Sequence, residues 1–291
     1  MNLTQSTSLF AGILVVALFS VELYCITSSP DTLPRPNPTK ATVDLSKPPP
    51  TPLHFIYINP HLTPSKTKFN AGLFKAKQAA RQWMRVLARD RYKLMFWTDK
   101  EVREHFPELV PVLSKVFVPS WISDVLRYHI VLRYGGVYLD TDVLAVRDFT
   151  PLLARFNSAF TVCETPWTPP DIAADITPDT PCTTMITAII AAPQQHPALK
   201  CAADHSLAYS IRTVSEGTQR VFDVPETGPP MWTSCVQASG GMAVLPSWTF
   251  LPCPFHHRGG CDQWDYYKLP NVYGMHEWTW SWGRSLTTGM K

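Results

Sequence analysis

The stretch that decides the fold is Ser123-Asp124-Val125-Leu126-Arg127-Tyr128-His129-Ile130-Val131-Leu132-Arg133-Tyr134-Gly135-Gly136-Val137-Tyr138-Leu139-Asp140-Thr141-Asp142-Val143. It joins a helix carrying polar residues to a Gly-Gly break, a short apolar strand and two carboxylates spaced Asp140-x-Asp142. Side chains of a strand alternate faces, so Asp140 and Asp142 point the same way if the strand continues through them, and converge if it ends there. Carboxylates that close repel each other unless a cation or proton sits between them. Oxygen ligands suit Mg²⁺ or Mn²⁺, which take remaining ligands from water and substrate phosphates. The pair therefore predicts a metal-bound diphosphate ester, against the plainer reading of a strand end with two solvated aspartates.

The upstream helix favours the first reading. Pro119 and Ser120 resemble a helix start, with Ser120 as cap and Asp124 in the first turns, where negative charge suits the dipole. Trp121, Ile122, Val125, Leu126, Ile130, Val131 and Leu132 wrap most of the helix, which predicts burial. Asp124, Arg127 and Tyr128 nevertheless lie three and four residues apart on it, within reach of one another. Such a group either fixes packing as a buried ion pair or places Asp124 by a bound sugar and Arg127 by a phosphate or carboxylate. Gly135 and Gly136 then supply the positive φ that turns the chain sharply into Val137–Leu139.

Working outward, the order of elements is strand (53 to 58), helix (70 to 88), strand (93 to 97), short helices (99 to 115), helix (120 to 134), strand (137 to 141) and a mixed second half. This alternation predicts an α/β fold with a mostly parallel sheet and ligands at the carboxyl ends of its strands. The 291 residues carry 26 Lys plus Arg against 23 Asp plus Glu with no charge blocks, so nothing points to a nucleic-acid partner. Ten tryptophans supply core material, and Trp232, Trp248, Trp264, Trp278, Trp280 and Trp282 crowd the last sixty residues.

The amino-terminal part reads separately. Leu9 to Phe19 is apolar and extends tolerably to Ile26, about 18 residues, near the lower limit for a membrane span. A signal anchor over 1–27 is the expectation, with a cleaved signal peptide as the alternative. No Lys or Arg precedes the stretch, so charge gives no orientation. Eight prolines between Pro30 and Pro52 make 28–52 an extended stem, leaving 53–291 as one catalytic domain. Beyond Cys25, six cysteines (163, 182, 201, 235, 253 and 261) allow up to three disulfides, with Cys253 and Cys261 near enough to close a small loop.

The run Ser123–Val143 resembles the Asp-x-Asp sugar-binding region of glycosyltransferase family 32. That family includes fungal initiation-type α-1,6-mannosyltransferases, mannosyl-inositolphosphoceramide synthases and animal α-1,4-galactosyl and N-acetylglucosaminyl transferases. The likeness extends more weakly to Leu94–Asp99, Ala192–Leu199, Thr227–Thr233 and His276–Trp282, and Thr-Gly-Pro-x-x-Trp-Thr with a closing His-x-Trp is most similar to the initiation-type branch. The resemblance implies a GT-A fold with a mixed sheet, and a retaining transfer of a hexose to a glycan or glycolipid. GDP-mannose is the favoured donor, ahead of UDP-galactose and UDP-N-acetylglucosamine. It implies Mn²⁺ (or Mg²⁺) on Asp140 and Asp142, with His276 as third ligand because imidazole also suits Mn²⁺ and a carboxy-terminal segment can fold back over the diphosphate. Asp124 and Arg127 would orient the donor sugar. Ser123, Tyr128, Gly136, Tyr138, Thr227, Gly228 and Trp282 complete the expected substrate contacts, with Trp282 covering the nucleotide. A type II Golgi protein with a lumenal catalytic domain follows from the same source.

The chain departs from the family at its opening, which usually reads Ile-Pro-Lys-Ile-Ile-His-Gln-x-Trp and here reads Pro52-Leu53-His54-Phe55-Ile56-Tyr57-Ile58-Asn59. Two other readings stand beside the transferase. One is a membrane-anchored subunit that binds sugar-nucleotide without turnover. The other is a haloacid-dehalogenase-type phosphatase, whose first motif Leu139–Val143 resembles, although the later acidic pair of that family does not occur here.

Overall fold

The strand Thr51–Ile56 (β1) and the strand Tyr92–Trp97 (β2) pair in parallel, from Thr51 beside Tyr92 to Ile56 beside Trp97. The connection between them includes helix Ala71–Val86 (α1), which buries Ala76, Ala79, Ala80 and Trp83 along one face. The structure is a computed structural model that describes residues 49–63, 71–169, 175–218, 224–254 and 265–279. The expected anchor and most of the expected stem lie outside these residues, and β1 takes the last two residues of that stem. Among the described residues, no helix is long and apolar enough to cross a membrane.

Thr98 caps the next helix, Asp99–His105 (α2), in a reciprocal box with Glu101. A turn of helix, Val110–Leu113 (α3), leads to Pro119–Tyr134 (α4). Here the expected cap is corrected: Pro119 is the first helical residue, Val118 precedes it in extended geometry, and Ser120 lies inside the helix. The reason is proline's fixed φ, already suited to a first turn and needing no N–H there. With that start Asp124 falls beyond the first turn, so its partners are side chains. The burial expected for α4 is present from Trp121 to Val131, including Asp124, Arg127 and Tyr128.

Strand Gly136–Leu139 (β3) follows. It stops before Asp140, two residues short of the expected end, and Asp140 and Thr141 begin a turn into strand Val143–Ala145 (β4). Helix Thr150–Arg155 (α5), strands Phe160–Thr165 (β5) and Thr184–Ala192 (β6), and helices Pro197–Glu216 (α6), Val224–Thr227 (α7) and Pro229–Ser239 (α8) lead to strands Ala243–Leu245 (β7) and Gly274–His276 (β8). The main sheet runs β2-β1-β3-β6-β5-β7. Pairs β1/β2, β1/β3 and β5/β7 are parallel, whereas β3/β6 and β5/β6 are antiparallel. This is a mixed α/β sheet with the parallel majority expected from sequence. β4 and β8 form a separate antiparallel pair that sets Val143 opposite His276.

Both faces of the sheet are covered, as the apolar strands require. Leu53, Phe55, Val137 and Leu139 pack toward Trp83 and Phe149 on one face, while Tyr138, Cys163 and Ile190 pack toward α4, α6 and α8 on the other. The sharp entry to β3 depends on Gly136, whose φ is +93° and where a Cβ would lie 2.2 Å from the carbonyl oxygen of Pro52. His54, wholly buried in β1, ties that turn down. Its Nε2 lies 2.8 Å from the Gly135 carbonyl as donor, and its Nδ1 accepts from Trp97 Nε1 at 3.2 Å. One donor and one acceptor are the pattern of neutral imidazole, and burial lowers the His54 pKa to about 4 despite the Gly135 hydrogen bond.

The β5/β6 ladder is broken twice. Thr161 pairs with Ile190 but Val162 with Ile186, so residues 187 to 189 have no ladder partner on β5 although Ile189 still pairs with Leu139 of β3, and Glu164 is an extra residue between the pairs Cys163/Met185 and Thr165/Thr184. Disulfides join Cys163 to Cys182 and Cys201 to Cys235. Of the remaining expected set, Cys253 is disulfide-bonded and Cys261 lies outside the described residues.

Candidate active site

A cleft of about 560 Å³ opens at the carboxyl ends of β1 and β3 and reaches across to β6 and β5. Asp140, Asp142 and His276 meet in it, each offering a ligand atom within 4.8 Å of the others. The local cause is the end of β3, after which the Asp-Thr-Asp turn presents both carboxylates to one space. β8 then brings His276 against Val143. His276 Nε2 sits 3.2 Å from Asp142 Oδ1, close to the edge of about 3 Å in an octahedron with bonds of ~2.1 Å. The His276 Nδ1 is buried without a hydrogen-bond partner. Two carboxylates and an imidazole thus fit a divalent cation that keeps other positions for water or phosphate oxygens.

Asp142 is the better anchored carboxylate. Thr279 donates to its Oδ2 from backbone N (3.0 Å) and Oγ1 (3.1 Å), and the Glu277 N–H donates to the Asp142 carbonyl at 2.8 Å. Burial alone would raise its pKa, but the His276 hydrogen bond and charge together with the Thr279 donors hold it at about 2. Glu277 itself is pushed up by burial and by the Asp142 charge.

Behind the carboxylates lies a buried network on α4. Arg127 meets Asp124 at 3.0 Å and Asp140 at 3.4 Å, and donates Nη1 to the carbonyl of Thr187 at 2.8 Å. Its guanidinium lies 4.9 Å from the centroid of the Tyr138 ring, and the Tyr138 hydroxyl donates to Asp140. Thr187 belongs to the stretch of β6 without a ladder partner on β5, so the irregular ladder supplies an acceptor to a buried cation. Burial raises Asp124 to about 6, against the pull of Arg127 and of the Thr227 hydroxyl, which donates to Asp124 at 3.0 Å. The neighbouring anions keep Arg127 charged although burial opposes it, and burial raises Tyr128 and Tyr138 well above the usual phenol range.

Of the expected substrate contacts, Ser123, Arg127, Tyr138, Asp140 and Asp142 line the cleft. Asp124, Tyr128 and Thr227 form the layer behind it, and Tyr128 donates to the Thr227 carbonyl at 2.9 Å. Gly136 serves the chain turn and Gly228 caps α8. The nearest lining residue of that segment is Pro229. Trp282 lies outside the described residues. Trp278 lines the cleft, with its ring 4.2 Å from that of His276 and its Nε1 donating to the Cys253 carbonyl. Sequence reasoning also passed over Asn59, whose backbone N–H and side-chain amide both donate to buried Asp99. The Trp-Thr-Asp segment held that signal.

Residues 74–159 match the family of the glycosyltransferase sugar-binding region containing a DXD motif. The matched segment includes Asp124, Arg127, Asp140 and Asp142 and ends well before His276. Two curated relatives align over part of the chain. Mannosyl phosphorylinositol ceramide synthase SUR1 of Saccharomyces cerevisiae is 36% identical over 67 residues, 22% of this chain. Inositol phosphoceramide mannosyltransferase 3 of Schizosaccharomyces pombe is 39% identical over 66 residues, 21% of this chain. Each match spans 18% of the relative's length. Among solved structures, the PaToxG glycosyltransferase overlays with a TM-score of 0.40 at 14% identity, over 66% of this chain and 70% of its own. Mouse xyloside xylosyltransferase 1 overlays with a TM-score of 0.40 at 10% identity, over 78% and 97% respectively.

Proposed function

We propose that this chain is a retaining, metal-dependent glycosyltransferase that moves a hexose, with mannose from GDP-mannose as first choice, onto a glycan or glycolipid. The carrying observation is that Asp140, Asp142 and His276 converge in the same cleft as Arg127. The DXD-family match supports the reaction class, and the two relatives named for mannosyl transfer to inositol phosphoceramides support the sugar and a lipid-linked acceptor.

Asp140, Asp142 and His276 would hold Mn²⁺ or Mg²⁺, which when bound neutralises charge building on a departing diphosphate. With its pKa near 2, Asp142 is ionised throughout the physiological range and needs no deprotonation to take up a cation. Arg127 is fixed by Asp124 and the Thr187 carbonyl, so its charge is in place before substrate arrives, which is the useful form of electrostatic stabilisation. Tyr138 orients Asp140, and Trp278 stands beside His276 on the cleft wall. The acceptor oxygen forms its bond to the anomeric carbon as the bond from that carbon to the diphosphate oxygen breaks. The electron pair and the acceptor's proton leave with the nucleotide.

The disulfides support an oxidising compartment. With the apolar segment over 1–27 as anchor and 28–52 as stem, the proposal places the domain from residue 53 onward in the Golgi lumen. Hydrolysis of GDP-mannose, UDP-galactose and UDP-N-acetylglucosamine by the full chain, with Mn²⁺ or with chelator, tests the reading. Metal-dependent turnover of one donor that Asp142→Asn abolishes supports it and names the sugar. A folded chain that binds donor but never turns it over would instead favour the non-catalytic subunit.

A further inference from the structure

Helix α1 has no acidic residue along its length, yet it exposes Lys77, Arg81 and Arg85 at four-residue spacing, turned away from the buried Ala76, Ala80 and Trp83. Like charges so spaced repel each other and weaken a helix. The turn into β2 adds exposed Arg89 and Arg91. Residues 71–97 carry seven of the chain's 26 Lys and Arg but only Asp90 of its 23 Asp and Glu. Among the described residues, none of these seven cations makes an ion pair. The repulsion is therefore not relieved within the domain, and an external anionic surface would relieve it.

The position of this face says which surface. β1 and β2 are parallel, so α1 runs back from the carboxyl end of β1 toward the start of β2. Gly72, in its first turn, lines the cleft. At the other end Thr51, where the chain enters β1, donates its N–H to the Arg91 carbonyl at 2.8 Å. The helix that carries the stripe thus spans about 24 Å, from the cleft to the point where the expected stem joins the sheet. Leu94, 37% exposed, lies on the sheet face that α1 covers, two residues from Phe96, whose ring is 5.9 Å from the Lys77 ammonium. A leucine among cations suits a lipid interface, where charge meets headgroup phosphate and the apolar side chain meets the acyl boundary. An acidic glycan offers no such apolar layer. Guarding an edge strand against pairing explains Lys93 on β2, but not the stripe on α1.

We propose that the outer face of α1, with Arg89 and Arg91, docks on an anionic phospholipid bilayer. Lying on this side, the domain brings the cleft and the stem entry to the lipid surface together, so a lipid-linked acceptor meets the cleft at the surface that holds it. The docking itself is independent of catalysis, and its use for a lipid acceptor rests on the transferase reading above.

The test mixes the full chain with vesicles of phosphatidylcholine, alone or with about 30% phosphatidylinositol, and follows lysine acetylation by mass spectrometry. Each cation seated on an anionic surface contributes about a fivefold factor in partition. Lys77 should label at least ~5-fold more slowly on the anionic vesicles, while Lys200 and Lys268, exposed on other elements, keep their rates. About 0.5 M NaCl should restore Lys77 labelling. Arg81→Gln, Arg85→Gln and Arg89→Gln together should weaken docking about 100-fold and leave Lys77 labelled as on phosphatidylcholine. All three sites are exposed, so the circular dichroism of this variant should match the wild type; if it does not, the salt comparison decides. Equal labelling of Lys77 on the two vesicles overturns the proposal, as does equal slowing of all three lysines, slowing that survives the salt, or protection kept by a folded triple variant. Slow labelling of Lys77 without any vesicle also overturns it, since a second copy of the chain would then cover this face. Donor hydrolysis is measured on the same samples. Docking without turnover keeps the surface and overturns the transferase reading, and turnover without docking does the reverse.

Discussion

Replacing Arg127 with Met removes a cation held between Asp124 at 3.0 Å and Asp140 at 3.4 Å, in a site where Asp124 and Arg127 expose only 8% and 5% of their surface. Methionine fills much of the volume but leaves two carboxylates facing each other and the Thr187 carbonyl without its donor. Breaking a buried pair from one side costs about 3–5 kcal/mol, which for a domain of this size lowers the melting temperature by about 6–20 °C. The loss should depend on pH. Asp124 titrates near 6 when folded, above its ordinary 3.8, so between those values the folded chain holds more protons than the unfolded one and stability falls as pH rises. Arg127 pulls that pKa down, so its removal raises it further and extends the unfavourable window toward neutrality. Thermal unfolding followed by tryptophan fluorescence should therefore show a smaller loss at pH 5 than at pH 7.5. Asp124→Asn added to Arg127→Met should restore part of it. A loss below about 1 kcal/mol, or one independent of pH, would refute the view that Arg127 serves these two carboxylates.

His54 should give the opposite pH slope. Its folded pKa of about 4 lies below the ordinary 6.5, so the folded chain holds fewer protons in that window. Its stabilisation is complete above 6.5 and falls by about 3 kcal/mol as pH drops to 4. Urea titrations across pH 4 to 7 should show His54→Gln gaining on the wild type as pH falls, and parallel curves would reject the neutral-imidazole assignment. Gly136→Ala should lower stability by about 3 kcal/mol or more, because the new Cβ meets Pro52 O at 2.2 Å. Gly217→Ala, at a similar positive φ but with nothing within 4 Å, should cost about 1 kcal/mol. Calorimetry separates the two, and equal losses would mean that φ rather than the contact dominates. Mn²⁺ at a hundredfold excess over its Kd should stabilise the wild type by about 2.7 kcal/mol, and chelator should reverse the shift. Asp142→Asn and His276→Ala should each lose it, whereas a shift kept by both would place the ion elsewhere.

What could be read in advance were the local signals. The α4 burial pattern, the Gly-Gly turn and the Asp-x-Asp spacing are features of one continuous segment, and their structure follows from helix period, glycine freedom and chain reversal. The resemblance pointed to His276, but its approach to Asp142 depends on a three-residue pairing between distant strands that no local pattern specifies. Thr187 contributes through its backbone carbonyl, which has no side-chain signature. Ser120 was misplaced because its capping preference competes with the helix-starting preference of Pro119, and the proline won.

The short β4/β8 ladder also dictates an order of assembly. Asp142 and the Thr279 that anchors it are separated by 137 residues, so closing that loop carries a large chain-entropy cost that three ladder pairs must help offset. While a ribosome is still making this chain, the Asp-Thr-Asp turn can form and the third donor does not yet exist. Premature termination before Gly274 would release a sheet whose β1 to β7 framework is already encoded but whose two aspartates face each other without an imidazole. β8 thus acts as a completion mark, making the full Asp140, Asp142 and His276 group a property of chains synthesised beyond it.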